Sequence, residues 1–196
     1  MNLLKSKLCK KSIFNLRRPF ENQIEFSTEC LIDIAEESLN EGLIEIPSLI
    51  RPEFSYRKNR SGSKKLRELF VKHNERPIFW LQAAREELLK IKLEKRGKHH
   101  VYTILLEYPG SRYPFGIYIG ESSRTPENRF KKHKAGKKAS RHVKNKGKEI
   151  LYSTFQHLCF PERKYAKSLE ESMADCLRIK KMDNKGLPSY RIKGGH

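Results

Sequence analysis

Residues 101–133 read VYTILLEYPGSRYPFGIYIGESSRTPENRFKKH, and this stretch decides the fold of the second half of the chain. Residues 101–107 and 115–120 are rich in the β-branched and aromatic side chains that favour strands. Between them lie Pro, Gly and Ser, which are typical of a hairpin loop. Thr125 can then cap a helix that has Pro126 at its first position. The sequence therefore predicts a hairpin followed directly by a helix.

The pattern continues toward the C-terminus. Gly136 should end the first helix, and residues 150–155 (ILYSTF) indicate a third strand. Pro161 can open a second helix that extends to about Lys181. The order strand, strand, helix, strand, helix predicts an α/β (α+β) domain. We expect a small three-stranded, mainly antiparallel sheet flanked by helices.

The first half of the chain has apolar residues three and four positions apart, which is typical of helices. Ser27 or Thr28 can cap one helix that Gly42 ends, and Pro77 suits the first position of another. We therefore divide the chain into a mostly helical N-terminal region, residues 1–98, and a domain of residues 99–196.

Pro47 and Pro52 should bracket an irregular segment of this helical region. Residues 51–65 (RPEFSYRKNRSGSKK) mix aromatic and basic side chains. Such a loop can stack on bases and bind phosphates, or it can be an exposed linker. The candidate nucleic-acid contacts are Arg57, Lys58 and Arg60.

The composition favours a polyanionic partner. The 196 residues carry a formal net charge of +19, with a pI near 9.9. A field of that sign attracts nucleic acid first and an anionic membrane second. No apolar run approaches the roughly 18 residues of a membrane span, and no basic helix with a strong apolar face is evident. We expect a soluble, cytoplasmic protein that binds nucleic acid rather than a membrane.

The cysteines do not indicate a metal site. Cys9, Cys30, Cys159 and Cys176 form no CxxC pair, which argues against a zinc finger. His157 and Cys159 fit the alternation of a strand better than a shared metal. Free thiols are consistent with a reducing compartment.

An ordered set of polar residues follows the second predicted strand. Arg129 lies eleven residues beyond Tyr118 of the Tyr118-Ile119-Gly120 motif, and His133 lies four residues further, on the same helix face. A later helix carries Glu170. This set, over roughly residues 100–190, resembles the GIY-YIG nuclease superfamily. In size and layout the chain is most similar to the small GIY-YIG type II restriction endonucleases.

The first motif departs from the family pattern, because His100-Val101-Tyr102 stands where GIY is usual. A literal Gly116-Ile117-Tyr118 overlaps the second motif, but no further YIG-like strand follows it. We therefore assign Tyr102 to the first motif and Tyr118 to the second. The hairpin should bring them together as cross-strand neighbours.

The resemblance implies hydrolysis of phosphodiester bonds in double-stranded DNA with Mg²⁺ or Mn²⁺. Arg129 would hold the scissile phosphate through its planar guanidinium, and Glu170 would bind the metal. Tyr102 would activate the attacking water, while Tyr118 and His133 orient groups or relay a proton. A free tyrosine has a pKa near 10, so a phenolate needs nearby cations or a relay to His133.

Helix geometry separates Glu170 from Glu171. At about 100° per residue, one apolar stripe is expected. Its members are Tyr165, Leu169, Met173 and Cys176. Glu170 falls at the border of this stripe and Glu171 faces solvent, so Glu170 is the predicted metal ligand. A single carboxylate with several waters is a normal magnesium site.

Two further features complete the predicted site. The family usually has an asparagine after this helix, and Asn184 is the candidate. Residues 131–148 carry nine Lys or Arg and no acid, which suits a surface that follows phosphates. The candidate contacts there are Lys131, Lys132, Lys134, Lys137, Lys138, Arg141 and Lys144.

The predicted role is a restriction-type double-strand cutter. Alternatives within the family are structure-specific, repair or phage-type enzymes that nick or degrade DNA. Outside it, the chain could be a non-catalytic basic nucleic-acid-binding module or a basic structural protein. One domain holds one active site, so cutting two strands suggests a homodimer on DNA. The N-terminal region would then serve dimerisation or groove reading.

Overall fold

A computed structural model describes residues 18–91, 97–155, 158–183 and 191–194. The chain divides into two compact units, Met1–Ala83 and Ala84–His196. This boundary precedes residue 99, where the sequence pattern changes from helical to strand-like.

Three helices form most of the described part of the first unit: α1 (Thr28–Asn40), α2 (Glu45–Tyr56) and α3 (Arg60–Lys72). Each packs against the other two. Ser27 caps α1 by accepting a hydrogen bond from the backbone N–H of Cys30 at 3.2 Å. Gly42, with a φ of +73°, follows its end, as the sequence predicted.

Residues 51–65 are not a loop, and this prediction was wrong. Pro47 lies in the first turn of α2, where a missing N–H costs nothing. The helix also continues through Pro52, because most of its side chains are buried and their packing outweighs one lost hydrogen bond. Asn59 then caps α3 by accepting from the N–H of Gly62 at 2.8 Å.

Arg57 is held inside the first unit. Its Nε donates to Glu53 at 2.8 Å, and its guanidinium also reaches the carbonyl oxygens of Phe20 and Phe26. Burial alone would raise the pKa of Glu53, but hydrogen bonds from Arg18 and Arg57 outweigh it and lower that pKa. Because its side chain is only 7% exposed, Arg57 is not available to nucleic acid, which corrects that assignment.

Helix α4 (Leu81–Leu88) begins four residues later than Pro77, so the predicted start was wrong. The N–H of Ile78 donates instead to the hydroxyl of Ser48 at 2.9 Å, which holds this segment out of a helix. Leu81, Ala84 and Leu88, which lie three and four positions apart, are buried.

Within the residues that the structure describes, the second unit contains a five-stranded sheet, with two more strands than predicted. Its long strands, β1 (His99–Glu107) and β2 (Phe115–Ser122), pair antiparallel over their length. The short strands β3 (Gly147–Ile150) and β4 (Cys159–Phe160) pair antiparallel with β1. Strand β5 (Arg191–Gly194) pairs parallel with β2. Short strands such as β4 and β5 leave little periodicity to detect.

The third strand lies earlier than residues 150–155. Tyr152–Thr154 form a 3₁₀ helix, because the Thr154 hydroxyl donates to the Leu151 carbonyl at 2.8 Å and meets the Thr103 hydroxyl. These hydrogen bonds turn the chain away from the sheet directly after β3.

The remaining helices are α5 (Pro126–Lys134), α6 (Arg141–Lys146) and α7 (Arg163–Asp183). Thr125 caps α5 as predicted, accepting from the N–H of Asn128 at 3.4 Å. Helix α7 contacts β1, β2 and β5. The predicted α+β class, with helices flanking a mainly antiparallel sheet, is confirmed. In the described part of the chain, every helix is too short or too polar to cross a bilayer.

Candidate active site

Tyr102 and Tyr118 are diagonal neighbours across the β1–β2 hairpin. Tyr102 lies opposite Gly120, and Tyr118 lies opposite Ile104. The two ring centroids are 6.3 Å apart, and both side chains are almost fully buried. The hairpin therefore brings together the two tyrosines named from the sequence.

Gly120 leaves the space that these rings occupy. A Cβ atom at residue 120 would lie 2.8 Å from the Tyr102 hydroxyl oxygen and 2.8 Å from Cε1 of Tyr118. Both distances are shorter than ordinary van der Waals contact. The glycine of the YIG motif is therefore required by the packing of the tyrosine pair.

We expect Gly120→Ala to lower the free energy of unfolding by about 1–3 kcal/mol, which is typical of overpacking in a core. The tyrosine rings must shift, so any activity of the site should fall with it. Denaturant unfolding measures the first effect. Wild-type stability in this variant would contradict the close packing described here.

His133 of α5 is fully buried between the tyrosines and the chain that follows the helix. Its Nε2 lies 3.1 Å from the Tyr102 hydroxyl, and its Nδ1 accepts a hydrogen bond from the backbone N–H of Ser140 at 3.0 Å. Burial, with a smaller effect of Arg129, lowers the pKa of His133 to about 4. The imidazole is therefore neutral at pH 7.

This arrangement fixes the tautomer. Because Nδ1 of His133 accepts, the proton must lie on Nε2, which donates to the Tyr102 oxygen. Both ring nitrogens are engaged, so the geometry does not favour the expected proton relay from Tyr102 to His133. The geometry instead suits His133 as a hydrogen-bond donor, whose Nε2–H stabilises negative charge on the Tyr102 oxygen.

The neutral imidazole makes stability depend on pH. Between pH 6.5 and pH 4 the unfolded chain binds a proton at His133 that the folded chain does not, so stability falls as pH falls through this window. The loss is on the order of 3 kcal/mol. We expect His133→Gln to flatten the curve of unfolding free energy between these pH values. A curve as steep as that of the wild type would contradict a buried neutral His133.

The tyrosine hydroxyls are also electrostatically linked to their neighbours. Burial, and next the adjacent Tyr118, raise the pKa of Tyr102 far above its usual range, while Arg129 opposes the rise. Burial, and next the charge of Glu170, raise the pKa of Tyr118; Arg129, Tyr102 and Ser140 oppose it. Both phenols are therefore protonated at neutral pH. Positive charge is required nearby before either can act as a base.

Arg129 lies at the mouth of this cluster. Its Nη2 donates to the carbonyl oxygen of Lys138 at 3.1 Å, and its side chain remains partly exposed. It borders a cleft of about 610 Å³ that also includes Glu121, Ser122 and Ser123. Six residues that line the cleft are permanent cations: Arg124, Arg129, Lys132, Lys137, Lys138 and Arg163. Such a cleft suits a phosphodiester backbone.

Glu170 lies on the inner face of α7 and Glu171 on the outer face. Ala166, Glu170 and Met173 are buried, whereas Glu171 is exposed. The predicted stripe was rotated, because Tyr165 is 52% exposed. Glu170 is therefore at the centre of the buried face rather than at its border.

The surroundings of Glu170 fit a hard divalent cation. Its carboxylate is close enough to Tyr118 and Arg163 to affect the pKa of each. Within the described ranges there is no cluster of three or more His, Cys, Asp or Glu side chains that could hold a metal. One buried carboxylate completed by water and phosphate oxygens is a normal arrangement for magnesium, so the residues present fit that ion.

The other predicted residues are spread around the site. Lys131 and Arg141 are exposed, and they are not among the residues that line the cleft. Lys134 donates to the Gly147 carbonyl at 3.0 Å, so it binds part of its own chain. Lys144 is exposed beside Gly136. Asn184 and His157 lie outside the described residues.

Sequence reasoning missed two contacts of the site. The backbone N–H of Ser140 orients His133, and no sequence signal marks it. Arg163 pairs with Glu121 through Nε at 2.8 Å and Nη2 at 2.7 Å at the edge of the cleft. Only the position of Glu121 directly after the YIG motif could have drawn attention to this pair.

No known protein-family model matches the chain, and no curated protein or solved structure shows significant similarity to it.

Proposed function

We propose that the chain is a magnesium-dependent DNA endonuclease of the GIY-YIG type that hydrolyses phosphodiester bonds. One observation carries the proposal: the five residues with the family's spacing lie in one cluster beside a cationic cleft. They are Tyr102, Tyr118, Arg129, His133 and Glu170. They come from three separate parts of the chain, namely the β1–β2 hairpin, α5 and α7.

In this proposal Arg129 binds the scissile phosphate through its planar fork, which matches two phosphate oxygens. A tyrosine hydroxyl, once deprotonated, accepts a proton from the attacking water. His133 donates from Nε2 to Tyr102 and so stabilises negative charge on that oxygen. The other cations that line the cleft hold the flanking phosphates, while Arg129 lowers the pKa of both tyrosines and so favours the phenolate.

Glu170 would hold the divalent ion, Mg²⁺ or Mn²⁺. When bound, that ion supplies positive charge to the leaving oxygen and to the phosphate. The carboxylate itself raises the pKa of Tyr118, so neutralising Glu170 should make Tyr118 easier to deprotonate.

We further propose restriction-type cutting of both strands by a homodimer on double-stranded DNA. The test uses supercoiled plasmid with Mg²⁺, and light scattering with and without a duplex. Linear product with a dimer on DNA supports the restriction type. Nicked circles from a monomer support a repair or nicking role instead. A chain that binds plasmid but never cuts it is a non-catalytic nucleic-acid-binding module.

Salt dependence tests the role of the cleft. Contact with six to ten phosphates lowers affinity by about 10³ to 10⁵ between 50 and 200 mM salt. We expect Lys137→Ala/Lys138→Ala to reduce the slope of log K against log salt by about two, as measured by fluorescence anisotropy. Lys90→Ala, which removes the partner of Glu87 away from the cleft, should leave the slope unchanged. Equal slopes for all three proteins would exclude the cleft as the DNA surface.

A further inference from the structure

Two helices of the first unit are joined by a very short connection. Only residues 57–59 separate α2 from α3, and Lys58 within this turn adopts a left-handed φ of +53°. Helix α1 packs against both. In the helix-turn-helix motif, two consecutive helices are joined by a turn of this length, and the second helix enters the major groove of DNA.

Packing fixes which face of α3 is available. Gly62, Leu66 and Phe70 are buried. Gly62 lies so close to α2 that a Cβ atom there would be 2.9 Å from the ring of Phe54. The rest of the helix surface is largely exposed, and its exposed members are Arg60, Ser61, Lys64, Lys65, Arg67, Glu68, Val71 and Lys72.

The exposed face of α3 carries more than positive charge. Lysines can donate to guanine, a carboxylate such as Glu68 can accept from the amino group of cytosine, and an apolar side chain can contact the methyl of thymine. Val71 is 78% exposed, so its methyl groups are accessible on this face. A surface that only bound phosphates would need cations alone.

The polar groups on this face are open to a new partner. Lys64 and Glu68 are 75% and 63% exposed, and their charged atoms are 3.9 Å apart. A pair so exposed contributes little to stability and exchanges readily with other partners. Lys72, at the far end of the helix, is held by Glu36 at 2.6 Å. Lys64 and Glu68 are therefore available on the exposed face of α3, and Lys64 lies in the N-terminal half of the helix, which contacts bases in helix-turn-helix proteins.

We propose that α3 is a recognition helix that reads the major groove of double-stranded DNA and gives the protein its sequence preference. The inference rests on the proposed function in one respect, namely that the partner is DNA. In that function the residues of the active site act on phosphates, which carry no sequence information directly. A second surface is needed to choose where the protein binds.

The test uses a charge-neutral double variant of the full chain. Lys64→Ala/Glu68→Ala removes one cation and one anion, so the net charge stays at +19 and non-specific attraction should not change. Glu87→Ala/Lys90→Ala removes a Lys–Glu pair at the C-terminal end of α4 and is the charge-neutral control. Each protein is used to select duplexes from a random library in EDTA, which prevents cutting.

We expect the wild type and the control to enrich one sequence motif. The α3 variant should lose preference at one or two base pairs and bind the selected motif about 10- to 100-fold more weakly, with unchanged affinity for random duplex. Circular dichroism confirms that the variant is folded. The proposal is overturned if the wild type enriches no motif, or if the α3 variant enriches the same motif with the same affinity.

Cutting of plasmid by the same proteins separates this inference from the proposed function. If the wild type selects a motif but never cuts, the proposed nuclease function is rejected, while the proposal that α3 recognises sequence stands. If the wild type cuts plasmid and the α3 variant cuts it at the same sites, the nuclease function stands, while the proposal that α3 recognises sequence is rejected.

Discussion

Glu170→Gln should reduce the rate of DNA cleavage in Mg²⁺ by at least about 10³-fold. A metal ion contributes several kcal/mol to stabilising the transition state, and about 1.36 kcal/mol corresponds to a tenfold change in rate. The amide has the size of the carboxylate, so the packing of α7 against the sheet should be kept. Duplex affinity in EDTA should change little or rise slightly, because a negative charge is removed beside the cationic cleft. Single-turnover cleavage and anisotropy in EDTA measure the two effects.

Glu171→Gln is the matched control, since it makes the same chemical change one residue away on the exposed side of α7. It should cut at the wild-type rate. If Glu171→Gln abolishes cleavage while Glu170→Gln does not, the carboxylate that matters is not the buried one, and the site described here is wrong.

Arg129→Lys should reduce single-turnover cleavage by about 10²- to 10³-fold, although the positive charge is retained. Lysine is a point charge that cannot make two parallel hydrogen bonds to one phosphate. It also lacks the guanidinium Nη2 that donates to the Lys138 carbonyl and holds the side chain in place. Duplex affinity should change less than threefold, since Arg129 is one of six cations that line the cleft.

Lys132→Ala provides the comparison for Arg129, because Lys132 lines the same cleft on the same helix. Its loss removes a whole charge, so affinity should fall while the rate at saturating DNA stays near that of the wild type. An equal loss of rate in the two variants would mean that Arg129 contributes only charge to the cleft.

The hairpin and α5 could be predicted because their signals are local. Strand composition, a Pro-Gly turn and the Thr125-Pro126 pair each act within a few residues. The segment around Pro47 and Pro52 misled the prediction, because burial of α2 by α1 and α3 outweighs the local effect of proline. The start of α3 was missed for the same reason, since its N-cap residue, Asn59, falls in the segment that the prolines led us to predict as a loop.

The same distinction applies to the site. The angular spacing of residues on a single helix led us to choose Arg129 with His133, and Glu170 over Glu171. The structure buries Glu170 and exposes Glu171, as that choice requires. The Ser140–His133 and Arg163–Glu121 contacts join parts of the chain whose relative placement no local pattern encodes. Such contacts arise from the tertiary fold alone.

The hydrogen bond from the Ser140 amide to His133 has a spectroscopic consequence. A backbone proton held by a fully buried imidazole should exchange slowly with deuterated solvent, and its NMR resonance should sense the ring current of His133. Lys137 and Lys138 lie three and two residues before Ser140, respectively, and both line the cleft. If DNA bound to these lysines and shifted the segment, the hydrogen bond from the Ser140 amide to His133 would break. The cross-peak of this one amide would then report whether the bond to the tyrosine–histidine cluster is kept while the duplex is bound.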